Sequence, residues 1–177
     1  MENPINANPT ILSISQLPTR KQTTPSQATN TLSSLSLLTP DDDYSSDEED
    51  DPVDPQEIFD LISTISDPEH PLTLGQLAVV NLQDISITQS NNLTEILIKI
   101  TPTITHCSLA TLIGLGIKIR LIRSLSDKYR IRLLIKEGSH QSELQVNKQL
   151  NDKERIAAAC ENEQLVEVIS RMLGTCN

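Results

Sequence analysis

Around Asp54-Pro55-Gln56-Glu57 the chain passes from a sequence with no repeating apolar pattern to one in which almost every segment has one, and this transition limits what it can fold into. Ahead of it, residues 1 to about 40 are rich in Asn, Thr, Ser, Gln and Pro, and their scattered leucines keep neither a strand period nor a helical one. The run Asp41-Asp42-Asp43-Tyr44-Ser45-Ser46-Asp47-Glu48-Glu49-Asp50-Asp51 follows and repels itself. Such a segment buries too little apolar surface to offset the entropy lost on ordering its backbone. Residues 1–53 are therefore expected to be a disordered acidic arm, and residues 54–177 one compact domain, a length that a single hydrophobic core can serve.

Beyond the transition, Asp54 can cap a helix whose first position suits Pro55, and Glu57 can complete a capping box. Ile58, Leu61, Ile62 and Ile65 then share one face. Asp67-Pro68 closes that helix, and Thr73 to Gln76 offers a second capping box for a short turn of helix. Leu82–Thr88 and Leu93–Thr101 alternate as strands, with Ser90-Asn91-Asn92 between them as a hairpin. Tyr129–Lys136 alternates as a third strand. Asn151-Asp152-Lys153-Glu154 has the capping-box form, and Asn162 can cap a last helix carrying Leu165, Val168, Ile169 and Met172. Two consecutive helices are thus expected after the sheet. The stretch from Ser108 to Leu125 fits either type: Ile117, Ile119 and Leu121 alternate with Lys118 and Arg120 as a strand would, and Gly114 and Gly116 weaken a helix. Its length favours a helix, with Lys118, Arg120 and Arg123 near the end where cations complement the dipole. The class is α+β: a small sheet of about three strands packed with helices.

Charge and composition narrow the function. The formal charge of −10 divides unevenly: residues 1–55 hold two basic and ten acidic side chains, residues 56–177 twelve and fourteen. No basic cluster offsets this, and there is no Trp, one Phe and two Tyr to stack on bases, so direct nucleic-acid binding is not expected. No stretch approaches the roughly 20 apolar residues of a membrane span, and the N-terminus lacks the pattern of a secretory signal. The cytosol and the nucleus are the expected compartments. There the cysteines at 107, 160 and 176 stay thiols, because their odd number makes no disulfide framework.

The motifs of nucleotide-binding loops, dinucleotide folds, zinc proteases and paired Cys-x-x-Cys sites are missing from the sequence, and an enzyme is not expected. One constellation bears chemistry: Thr101-Pro102-Thr103-Ile104-Thr105-His106-Cys107-Ser108, where a strand runs out and a helix begins. A thiol at a helix N-terminus meets free N–H groups and the positive end of the dipole, which stabilise its thiolate as a nucleophile or soft-metal ligand. His106 beside it can accept a proton or supply a nitrogen ligand. The same two residues also fit a small packing cysteine and a surface histidine. Cys160, after three alanines, reads as packing, and Cys176 as part of a fraying tail. His70 and His140 have no catalytic partner in sequence. Ser45 and Ser46, each with a carboxylate three residues on, are candidate phosphorylation sites.

These blocks, taken in order, resemble the MIP-eighteen family, adaptor subunits of the eukaryotic cytosolic iron-sulfur assembly (CIA) targeting complex, related to SufT and PaaD-like domains. The resemblance lies in Glu57-Ile58-Phe59-Asp60-Leu61-Ile62, Asp67-Pro68-Glu69-His70-Pro71-Leu72-Thr73-Leu74, Thr101-Pro102-Thr103-Ile104 and His106-Cys107-Ser108. It continues through Ala110 to Leu115, Ile117-Lys118, Arg123-Ser124-Leu125, Val146 to Leu150 and Asp152 to Arg155. Thr105, Leu109 and the Gly75-Gln76 pair depart from it, standing where the family has Pro, Met and an acidic pair. The resemblance implies that a helix follows Cys107 and that Cys107 is the family's reactive cysteine. It implies a non-enzymatic adaptor that joins a WD-repeat propeller subunit to a HEAT-repeat scaffold. Its clients would be iron-sulfur apo-proteins, among them replication and repair enzymes, with an indirect link to chromosome segregation. No cofactor would be held stably, and any iron-sulfur cluster or metal contact at Cys107 would be transient. The alternative is a thiol-based carrier that itself holds a cluster through Cys107. Dimerisation stays open.

Overall fold

The computed structural model describes residues 11–20, 52–90, 93–103 and 109–176. The first helix, α1 (Pro55–Ser63), starts as the sequence requires: Asp54 Oδ1 accepts from the Glu57 amide at 2.8 Å, with Pro55 in the first turn. Ile58, Ile62 and Ile65 are fully buried. Strands β1 (Ile85–Ser90) and β2 (Leu93–Ile100) pair antiparallel as a hairpin, but Ser90, expected in the turn, is the last residue of β1 opposite Leu93, and Leu82–Asp84, expected in the strand, forms a 3-10 turn. Helix α2 (Leu109–Ser124) crosses over to β3 (Tyr129–Ile135), which lies parallel to β2, and the sheet order is β1-β2-β3. A parallel pair needs such a crossover, so the helix in the ambiguous stretch and the mixed sheet are one fact. Ile85, Ile96, Ile98, Ile100, Leu133 and Ile135 line the inner face against α1 and α2, while Ser86, Thr88, Arg130 and Arg132 face solvent. This is the α+β class with three strands.

Three helices follow the sheet in place of the two expected: α3 (Glu143–Leu150), α4 (Lys153–Glu161) and α5 (Glu163–Leu173). Helix α3 escaped the periodicity because only Val146 and Leu150 of it are buried, and the rest of its contact surface is polar. That surface closes the open edge of the sheet. Leu133 N–H donates to Asn151 Oδ1 (3.1 Å), Asn151 Nδ2 donates to Leu133 O (2.7 Å), and Ile135 N–H donates to Asn147 Oδ1 (2.6 Å). Four helical residues rise about 6 Å and two strand residues about 6.6 Å, so asparagines at i and i+4 meet the outward backbone groups at j and j+2. Lys118 extends the same line, its Nζ donating to Ile131 O at 2.7 Å. These two side chains correct two expectations. Asp152, not Asn151, caps α4, accepting from the Glu154 amide at 3.0 Å. Lys118 is buried beside the sheet and does not serve the end of α2.

The loop after α1 is held by side chains. Asp67 Oδ1 accepts from the Glu69 and His70 amides, both at 2.9 Å. Thr73 and Gln76 exchange the reciprocal bonds of a capping box (3.1 and 3.3 Å), but they close a single turn, because Ala78 adopts φ 52° and redirects the chain. Gly75 is required there: a Cβ on it would stand 2.9 Å from Ser63 Cβ and 3.1 Å from Ser63 O.

Two segments expected to be loose are tied to the domain. The C-terminal end meets the end of α1: Ser66 N–H donates to Met172 O (3.0 Å), Thr175 Oγ1 to Thr64 O (2.8 Å), and Thr64 Oγ1 to Cys176 Sγ (3.6 Å). Cys176 packs on the core, so it does not belong to a frayed tail. Inside the stretch assigned to the arm, residues 11–19 belong to the same compact unit as the domain. Leu12 N–H donates to Gln76 O (2.7 Å) and Gln56 Nε2 to Pro18 O (2.9 Å).

Candidate functional site

The candidate thiol segment joins the end of β2 to the start of α2. Its near side is anchored: Thr101 N–H donates to Val79 O at 2.9 Å, and Pro102 is buried. Its far side is Leu109, the first residue of a helix buried on most of its circumference, from Ala110 through Leu121. His106 and Cys107 lie between, outside the described residues, as do Ser45 and Ser46. The strand-to-helix junction that makes Cys107 a candidate is therefore present on both flanks of the segment.

Beside the first turns of α2 opens a groove of about 450 Å³, walled by Thr111, Leu112 and Leu115 of α2, Ile156 and Ala159 of α4, and Leu165 of α5. Among the described residues, Arg155 is the one charged group of its lining. The sequence signal was the Ala157-Ala158-Ala159 run, whose small side chains leave space between helices, but which helix would face it was not legible. Cys160 follows on α4 and is exposed, so it is not the packing residue its alanine neighbours suggested. Among the described residues, no cluster of three His, Cys, Asp or Glu side chains is placed to hold a metal ion.

His70 and His140 now have partners. His70 Nδ1 lies 3.0 Å from Asp67 Oδ1, whose side chain is only 3% exposed and already holds two backbone amides, so the pair fixes the loop. His140 Nδ1 accepts from the Ser142 amide at 3.1 Å. Among the described residues the one displaced titration is that of Lys118: burial first, then the nearby charges of Lys153 and Arg130, pull its ammonium down to about 8. Its geometry is that of a structural donor to the β3 edge.

The family described as "Iron-sulfur cluster assembly protein" matches residues 55–128, a span that includes α1, β1, β2, the candidate thiol segment and α2 and stops short of β3. A MIP18 family protein of Saccharomyces cerevisiae is 68% identical over 133 residues, 73% of this chain and 58% of that one, so the chain spans less than two thirds of that relative's length. A MIP18 family protein of Schizosaccharomyces pombe is 48% identical over 172 residues, covering 97% of this chain and 96% of the relative. The Mus musculus protein named cytosolic iron-sulfur assembly component 2B is 52% identical over 124 residues, 70% of this chain and 75% of that one. The chain belongs to the MIP18 family of iron-sulfur cluster assembly proteins.

Proposed function

We propose that this chain is a non-enzymatic adaptor of cytosolic iron-sulfur protein assembly. The observation that carries the reading is its 52% identity, over 124 residues, with a mouse protein named as a cytosolic iron-sulfur assembly component. In this reading the domain joins a WD-repeat propeller subunit and a HEAT-repeat scaffold of the targeting complex. It serves cytosolic and nuclear apo-proteins, including replication and repair enzymes, and affects chromosome segregation through them. The cluster is cargo: Cys107, with His106 beside it, contacts it or the client in passing, and no cofactor stays bound. A thiolate at a helix N-terminus is a suitable soft ligand for such a contact.

Replacing Cys107 by Ala tests this. The variant should keep its thermal unfolding midpoint and still co-purify with the propeller and scaffold subunits, while client polymerases or helicases in cells carrying only the variant lose iron. Normal client iron would remove Cys107 from the function and leave an adaptor working by binding alone. Anaerobic purification with iron analysis decides the carrier alternative, since a stoichiometric cluster on the wild-type chain would make it a carrier.

A further inference from the structure

Residues 11–18 lie across a shelf made by the start of α1 and the Thr73–Gln76 turn. The contacts are few and of a kind seen where a short peptide docks on a domain. Leu12 donates its N–H to Gln76 O at 2.7 Å, and Pro18 O accepts from Gln56 Nε2 at 2.9 Å. Leu17 rests over Gly75, its Cδ1 3.5 Å from where a Cβ would be. Between them Ser13 N–H donates to Gln16 Oε1 (2.9 Å) and the Gln16 amide to Ser13 O (2.9 Å), so the middle of the segment satisfies itself.

The balance of burial shows how loosely the segment belongs to the core. Leu12 and Leu17 are half-buried, whereas Ile11 and Ile14 remain 62% and 73% exposed. Ile62, Ile65 and Leu74 are fully buried in a core built by α1, α2 and the sheet, and of the segment only Leu17 packs against that core. Two half-buried leucines and two long-range hydrogen bonds stand against the backbone entropy of eight ordered residues, which places the segment at the low-stability end of the molecule. Gly75 has no side chain to cover the shelf, and Gln56 and Gln76 present a donor and an acceptor along it, matched to a segment whose single 3-10 turn (Ile14–Gln16) lies between two leucines.

We propose that this shelf is a peptide-docking surface and that residues 11–18 are its built-in occupant, a strap that leaves and returns while the domain stays folded. The partner it fits is an uncharged segment with one helical turn between two leucine-like side chains spaced as Leu12 and Leu17 are. Since strap and shelf belong to one chain, any such partner competes with an effective concentration on the order of millimolar.

The test uses the full chain and a fluorescent peptide with the sequence of residues 11–20. The Leu12→Asp/Leu17→Asp variant, with its strap released, should bind the peptide at least about tenfold more tightly than the wild type, whose own strap competes. It should unfold within about 3 °C of the wild type. A peptide carrying both substitutions should bind neither. In the wild type, the Leu12 amide should exchange with deuterium about a hundredfold or more faster than the core amide of Leu74, and still more slowly than a free amide. Equal peptide binding by both chains, or none by the variant, overturns the proposal. Exchange of Leu12 in step with Leu74 also overturns it, by making the strap a fixed part of the fold.

Discussion

Asn151 shows how one residue type serves two structural jobs that a sequence cannot tell apart. It stands at the head of Asn151-Asp152-Lys153-Glu154, where either of the first two residues can cap a helix. The structure gives the cap to Asp152 and turns Asn151 to Leu133, to which it both donates and accepts. Asn151→Ala leaves an N–H and a C=O of β3 without these partners and should cost about 2–3 kcal/mol in urea unfolding. Asn151→Asp should be no milder, since a carboxylate would face Leu133 O. A loss below about 0.5 kcal/mol for the Ala variant would mean that water replaces the amide at no cost. Lys118 yields a prediction in pH. Below about 8 its amine is charged in both folded and unfolded chains; between about 8 and 10.5 only the unfolded chain keeps the proton. The unfolded state then binds more protons, so this group's contribution to stability rises with pH across that window. The difference in unfolding free energy between wild type and Lys118→Met should accordingly move in favour of the wild type from pH 8 to pH 10, and a flat difference would contradict the burial of a titrating amine.

At the scale of elements, α2 was the hardest to read and is the most informative in space. A helix buried nearly all round shows no apolar stripe, and Ile117-Lys118-Ile119-Arg120-Leu121 imitates a strand. Its glycines, which argue against a helix in isolation, are explained by neighbours far along the chain. A Cβ on Gly114 would lie 2.6 Å from Leu150 Cδ1 and 3.1 Å from Leu133 Cδ2. Gly114→Ala should gain about 1 kcal/mol of helix propensity and lose more to overpacking, for a net destabilisation of about 1–2 kcal/mol. Because Leu150 is buried, it cannot swing into solvent. Shortening it in Gly114→Ala/Leu150→Val should restore part of the loss, and a double-mutant cycle with no coupling would refute the close crossing of α2 and α3. Elements with one buried face and a strong cap, α1, β2, β3 and α5, were legible from residue pattern alone. Helix α3 was not, because it is held by Asn147 and Asn151 as much as by apolar side chains.

For the molecule as a whole, charge and pattern agree on where the domain begins, with −8 of the net −10 ahead of residue 56. The same reading treated as loose two segments that are tied down: the C-terminal segment is stitched to the end of α1, and residues 11–18 lie on the shelf above Gly75. Membership in the family and the strand-to-helix placement of the Cys107 segment were both readable from ordered blocks of residues, because motif and periodicity are local properties. By itself the sequence determined the class and most element boundaries, since each rests on residues a few positions apart. Only the tertiary structure decided which polar side chains close the β3 edge, why α2 carries glycines, that Cys160 is exposed and Cys176 is not, and that the strap has a seat. Those outcomes depend on which surfaces meet across tens of residues, where one buried hydrogen bond or one missing Cβ selects the partner.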